Sequence, residues 1–96
     1  MGAYKLDIYI GSDNGSKKID REYLDKIIEW AGRNFPDGYT LLKGHGYYNG
    51  TREDSLVLSV LSDYDIDLKE QVADLKRTLE QKAIAVSKYN VELEYL

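Results

Sequence analysis

The feature that most constrains the fold is a hydrophobic period that changes between two and about 3.6 residues, four times along the chain. Over residues 3–10, Tyr4, Leu6, Ile8 and Ile10 alternate with Lys5, Asp7 and Tyr9, the pattern of a strand with one buried face. From about residue 20 to 34 the spacing turns helical. Tyr23, Leu24, Ile27, Ile28 and Ala31 form an apolar stripe with Trp30 at its margin. Asp20 and Glu22 suit the positive N-terminal end of that helix. Residues 39–44 read as a second strand and residues 54–61 as a third. In the third, Leu56, Leu58 and Val60 line one side, while Val57 and Leu61 flank Ser59 on the other, as expected of a central strand. A second helix spans about residues 67–82, with Leu68, Val72, Leu75 and Leu79 at helical spacing. The tail, residues 83–96, is strand again, but its parity slips. Ile84 and Val86 are even; Tyr89, Val91, Leu93 and Tyr95 are odd. A β-bulge near Ser87 and Lys88 would restore a single face, the alternative being a tight turn and a fifth short strand.

The order β-α-β-β-α-β predicts an α+β fold. It is a ferredoxin-like sandwich with two helices on one face of a four-stranded antiparallel sheet, ordered 4-1-3-2. Its length, 96 residues, fits one domain over residues 1–96. In this topology the first strand–helix loop, the hairpin between strands two and three, and the second helix–strand connection share one end of the sheet. "GSDNGS" (residues 11–16) and "GHGYYNG" (residues 44–50) are therefore expected to meet.

Composition narrows the function. The chain has no cysteine, which removes disulfides, thiolate metal sites and thiol catalysis, and fits a cytoplasmic setting. The N-terminal stretch has no secretory pattern, and Leu6 stands where a myristoylation signal needs Ser or Thr. No apolar run approaches the roughly 18 residues of a membrane span. Net charge of −4 disfavours duplex nucleic acid. Nine tyrosines against one Phe and one Trp suit half-exposed strands, interfaces or stacking sites.

Two stretches are candidate ligand loops. In "GSDNGS", Ser12, Asn14 and Gly15 offer hydroxyl, amide and free backbone near a helix N-terminus, where an anion can sit, although Asp13 opposes one. The glycine spacing is not that of a phosphate loop. In "GHGYYNG", His45 can donate or titrate, and one of Tyr47 and Tyr48 can stack on a ring. Arg52 follows within reach. The plainer reading of both stretches is a polar connector and an open hairpin turn. A His45–Glu53 pair would supply an acid and a base if the chain is an enzyme. No metal site is expected. Asp63, Asp65 and Asp67 imitate the start of a calcium loop but lack its glycine and closing glutamate. No cofactor is indicated.

The stretches "FPDGYTLL", "GHGYYNG", "EDSLVLSV" and "QKAIAV", with a weaker match in "DIYIGSDN", resemble a family of small prokaryotic and phage proteins. That family often carries Trp where this chain has Tyr48. The resemblance implies a ferredoxin-like fold and supplies no catalytic residues. More loosely, the chain is similar to small phage proteins that sequester signalling nucleotides.

The leading expectation is a non-catalytic, phage-encoded module that binds an anionic small molecule, such as a signalling nucleotide, through Ser12, Asn14, Gly15, His45, Tyr47, Tyr48 and Arg52. The alternatives are a small lyase or hydrolase acting on a nucleotide-like metabolite, and a protein-interaction module. The last strand is an edge without proline, so a homo-oligomer formed through it is also expected.

Overall fold

The computed structural model describes residues 2–96; Met1, and with it the reading of the extreme N-terminus, lies outside them. The elements are β1 (Gly2–Gly11), α1 (Arg21–Asn34), β2 (Thr40–Tyr48), β3 (Thr51–Ser62), α2 (Lys69–Leu79) and β4 (Ala85–Glu92). The four strands form one antiparallel sheet in the order β2-β3-β1-β4. This is the expected ferredoxin-like topology. No helix among the described residues is long and apolar enough to cross a membrane.

Strand alternation decides where the core lies. Leu6, Ile8 and Ile10 of β1 and Leu56, Leu58 and Val60 of β3 all point to one side and are buried. Against them pack Tyr23, Ile27, Trp30 and Ala31 of α1, then Leu68 at the N-cap of α2 and Leu75 and Leu79 within it. Each such Leu or Ile contributes about 1.5–3 kcal/mol on burial. Both helices thus cover one face and leave the other open.

Local chemistry sets the element ends. Asp20 caps α1, its carboxylate accepting from the Tyr23 amide at 2.9 Å. α2 stops at Leu79 because Glu80 takes a left-handed conformation (φ 55°), so the helix is shorter than its periodicity suggests. Trp30 is not marginal. It is 1% exposed, and its indole N–H donates to the Gln71 carbonyl at 2.9 Å, tying α1 to α2. Ile28, assigned to the stripe by its spacing, is instead 40% exposed, since Tyr23, Ile27, Trp30 and Ala31 already fill the buried arc.

Two differences from the sequence reading matter for the site. β2 does not end at Gly44. It runs on through Tyr48 and pairs residue for residue with β3 down to Tyr48–Thr51. The wide glycine-rich hairpin is therefore a tight turn, in which Asn49 (φ 50°) and Gly50 (φ 77°) supply the left-handed pair that a two-residue hairpin needs. The tail has neither a bulge nor a fifth strand. β4 pairs with β1 in unbroken register from Gly2–Glu92 to Tyr9–Ala85. The parity slip is real and means that β4 is apolar on different faces at its two ends. Val86 lies with the core side, opposite Ile8, whereas Tyr89 and Val91 lie on the open side, opposite Lys5 and Ala3.

Candidate functional site

At this end of the sheet side chains join the β1–α1 loop to the start of β3 and to the connection between α2 and β4. Ser12 is buried and its hydroxyl donates to the Glu53 carboxylate at 3.2 Å, joining the β1–α1 loop to β3. The Asp54 carboxylate accepts from the Ile19 amide at 2.9 Å, and the Asp54 amide donates to the Lys17 carbonyl at 3.0 Å. From beyond α2, the Gln81 amide donates to the Ser12 carbonyl at 2.7 Å and to the Tyr23 hydroxyl at 2.9 Å. That hydroxyl donates to the Gly11 carbonyl at 2.6 Å. Burial pushes the Tyr23 phenol upward, so it remains a donor.

Two amides of the Gly11–Ser16 loop are taken up within the loop itself. The Gly15 and Ser16 amides both donate to the Asp13 carboxylate at 2.9 Å. These bonds hold the Asp13 carboxyl below its ordinary range. The anion-shaped position is thus filled by the chain's own aspartate. Asn14 is exposed and unengaged among the hydrogen bonds of the loop.

The hairpin residues separate by strand parity. His45 stands opposite Asp54, on the helix side; Glu53 stands opposite Gly46, on the open side. The suggested His45–Glu53 acid–base pair is therefore divided by the sheet. His45 instead lies against Arg52. One guanidinium amino group sits 3.1 Å from Nδ1 and 3.0 Å from Nε2, which means that it rests against the ring and does not donate squarely to either nitrogen. Both groups are exposed, beside a recess of about 220 Å³ lined by Ile19, Lys43, His45 and Asp54. Tyr47 and Tyr48 are 71% and 73% exposed, so neither joins the core. Of the seven expected ligand residues, Ser12 belongs to the Glu53 site, Gly15 is spent on Asp13, and His45 with Arg52 forms a separate surface pair.

What the sequence reading missed lies on the open face. Gly44, Ser55 and Gly11 stand side by side on β2, β3 and β1, and Gly46 is opposite Glu53. None of the three glycines has a positive φ. A methyl group on Gly44 would meet nothing within 4 Å, and on Gly11 it would only approach the Glu53 carboxylate at 3.9 Å. On Gly46 it would reach ordinary contact, 3.5 Å from Ser55 Cβ and 3.7 Å from Glu53 Cγ. The single chain thus requires glycine at none of these strand positions, although glycine weakens a strand. The result is a shelf of nearly bare backbone, bordered by Tyr9 on one side and by the half-buried Glu53 carboxylate on the other. The signal was present in the spacing of Gly44 and Gly46, which fall on one face of a strand once that stretch is read as strand.

A larger cleft, about 710 Å³, lies between α2 and β4, floored by residues such as Leu6, Val72 and Ile84 and rimmed by Lys69, Lys76 and the ion-paired Lys88 and Asp65. It contains none of the glycine-loop residues. Among the described residues, no cluster of three His, Asp or Glu side chains is placed to hold a metal ion.

No family model and no curated protein matches the chain. Solved structures do. A phage SAM lyase in the apo state matches with a TM-score of 0.58 at 18% identity, over 99% of this chain and 93% of that one. A phage SAM lyase in complex with S-methyl-5'-thioadenosine matches with a TM-score of 0.54 at 15% identity, over 98% of this chain and 92% of that one. At these identities the likeness is one of fold.

Proposed function

We propose that this chain is a small lyase for an adenosyl sulfonium of the S-adenosylmethionine type, bound on the glycine shelf with its positive centre facing Glu53. The observation that carries the reading is the Glu53 carboxylate, bonded by Ser12 and laid beside the bare backbone of Gly11 and Gly46. A flat ring system can approach backbone where no β-carbons stand, and Tyr9 offers an aromatic edge to it. Charge favours a cation. Glu53 is the charged group of the shelf, and the neighbouring anion position is closed by Asp13. The earlier expectation of an anionic ligand gives way for that reason.

The chemistry fits a site with few titratable groups. Attack of the substrate's own carboxylate on the carbon attached to sulfur closes a lactone as the carbon–sulfur bond breaks and its electron pair leaves with a neutral thioether, so no general acid or base is required. The placement of His45 on the opposite side of the ribbon is then no obstacle. Such a reaction asks the protein to bind the cation, which Glu53 attracts, and to orient the substrate so that attacking oxygen, carbon and sulfur lie in line. The phage SAM lyases that share the fold support this choice of ligand class.

The scarcity of titratable groups on the shelf also favours a second reading, in which the same ligand is sequestered without turnover. One experiment separates the two. Incubation with S-adenosylmethionine, followed by chromatography, is expected to show S-methyl-5'-thioadenosine accumulating. Glu53→Gln, which keeps the Ser12 bond and the shape, is expected to weaken binding of the sulfonium about tenfold and to raise KM accordingly. The effect on kcat is smaller, because the positive charge is lost in the transition state. Binding measured by calorimetry with the ligand recovered intact would favour sequestration. No binding and no turnover would remove both.

A further inference from the structure

The helix side of the sheet is not covered evenly. β1 and β3 lie beneath the two helices, but the edge strand β4 does not. Val86 faces the helix side opposite Ile8, yet it is 41% exposed where Ile8 is 0%. The gap between α2 and β4 is the cleft of about 710 Å³, and its apolar lining comes from Leu6, Val72, Ile84 and Val86. It shares no residue with the glycine shelf. The rim of the cleft carries charge. Lys69 and Lys76 stand two turns apart on α2, about 10 Å along its axis. Among the described residues neither is in an ion pair. The acids of the rim are already engaged. Asp65 pairs with Lys88, and the Asp67 carboxylate accepts from the Lys69 amide at 3.1 Å. Lys69, Lys76 and Lys88 against Asp65 and Asp67 leave this rim positive, in a chain whose net charge is −4.

We propose that this cleft binds a free linear acyl carboxylate, its hydrocarbon lying on Leu6, Val72, Ile84 and Val86 and its carboxylate held by Lys76. Size selects a small ligand. The volume falls within the roughly 300–1,000 Å³ of small-molecule sites. A helix about 10 Å across fills about 400 Å³ per turn, so fewer than two turns of a partner helix would enter. Chemistry selects a hydrocarbon. An extended peptide laid on this floor would turn amides and carbonyls toward side chains that offer no polar partner, at a cost for each group. An acyl chain carries no such groups, and a trough bounded by a helix and a strand admits a linear one. Charge selects an anion, and it selects Lys76 as the anchor. Lys76 is half-buried at the far end of α2, whereas Asp65 and Asp67 lie before the helix, on the side of Lys69.

The test needs no S-adenosylmethionine, so it stands or falls apart from the shelf. Calorimetry of the full chain with sodium decanoate, below the concentration at which it forms micelles, is expected to show one site per chain. Octanoate, two methylenes shorter, should bind on the order of tenfold more weakly. Decanol, which keeps the chain and loses the charge, should bind about tenfold more weakly than decanoate. Lys76→Gln should weaken decanoate by the same factor of about ten, and Lys76→Arg should restore it. Lys43→Gln, at an exposed lysine of β2 outside the cleft, is the control and should leave binding intact. Far-ultraviolet circular dichroism is expected to be the same for all three variants. No heat with decanoate overturns the proposal. So does decanol binding as well as decanoate, or Lys76→Gln binding with full affinity. Association with phosphatidylglycerol vesicles, with none to decanoate, would make the cleft a membrane contact and overturn it equally.

Discussion

The two faces of the sheet are made by the same strands yet obey different rules. On the helix side, Leu6, Ile8, Ile10, Leu56, Leu58 and Val60 are at most 4% exposed, and the side chains there are selected for size. On the open side tyrosine, glycine and serine mix with Leu42, Val57 and Leu61 and with three charged residues, Lys5, Asp7 and Glu53, and about half of Leu42, Leu61, Tyr9 or Tyr89 remains in contact with water. The difference teaches that alternation assigns tasks as well as burial. On β1 and β3 the even positions hold the domain together and the odd positions are free to meet something outside it; on β2 the parity is reversed. Every buried side-chain nitrogen and oxygen among the described residues finds a partner, so the open face is not merely badly folded surface.

The contrast can be broken most severely from the helix side. Leu75→Ala removes a fully buried side chain that packs in the cluster under α2. It should cost about 2–5 kcal/mol in denaturant unfolding. A cost below 1 kcal/mol would mean that the covered face is not the structural one.

A smaller effect, with a pH signature, is expected at the centre of the open face. Burial alone would raise the Asp7 carboxyl, but the bonds from Ser59 and Tyr89 and the Lys5 charge outweigh it and hold it below the ordinary value. A carboxyl depressed in the folded state stabilises above its unfolded value, about pH 4, and this contribution is lost as pH falls through the folded value. Asp7→Asn should lower stability at neutral pH by about 1–3 kcal/mol, the range for hydrogen bonds to a charged group. It should also flatten the loss on acidification. An unchanged acid limb in thermal melts at stepped pH would show that the network is ornamental.

The smallest expected change has the opposite sign. Gly44→Ala adds a methyl group into open space on a strand with ordinary backbone angles. It should stabilise the domain by about 0.4–1 kcal/mol, chiefly by restricting the unfolded chain, and should at the same time weaken ligand binding if the shelf is the site. Stability gained with binding unaffected would detach the glycines from function.

Periodicity carried most of the architecture. The density of "DSLVLSVL" marked β3 as central, and the element order led to the observed sheet. The failures are physical. Gly44, His45 and Gly46 have weak strand preference, and only pairing with β3 holds them extended, so β2 looked shorter than it is. The β4 parity slip was assigned to a bulge because one buried face was assumed. A strand beside an apolar open face has two. The meeting of the loops followed from topology, but the Ser12–Glu53 and Gln81–Ser12 bonds join residues 41 and 69 positions apart. No local pattern announces such pairs.

The position of β1 has a consequence for how the chain assembles. Both of its sheet neighbours, β3 and β4, come from far along the sequence, so Tyr4 pairs with Ser62 on one side and Asn90 on the other. During synthesis one of its hydrogen-bonding edges stays unsatisfied until β3, ending at Ser62, has emerged and the other until β4, ending at Glu92, has followed, while β2 and β3 can zip together from the Asn49–Gly50 turn almost at once. Folding should therefore wait on a late, non-local closure. Until then an apolar strand with a free edge is the segment most at risk of pairing with the wrong partner.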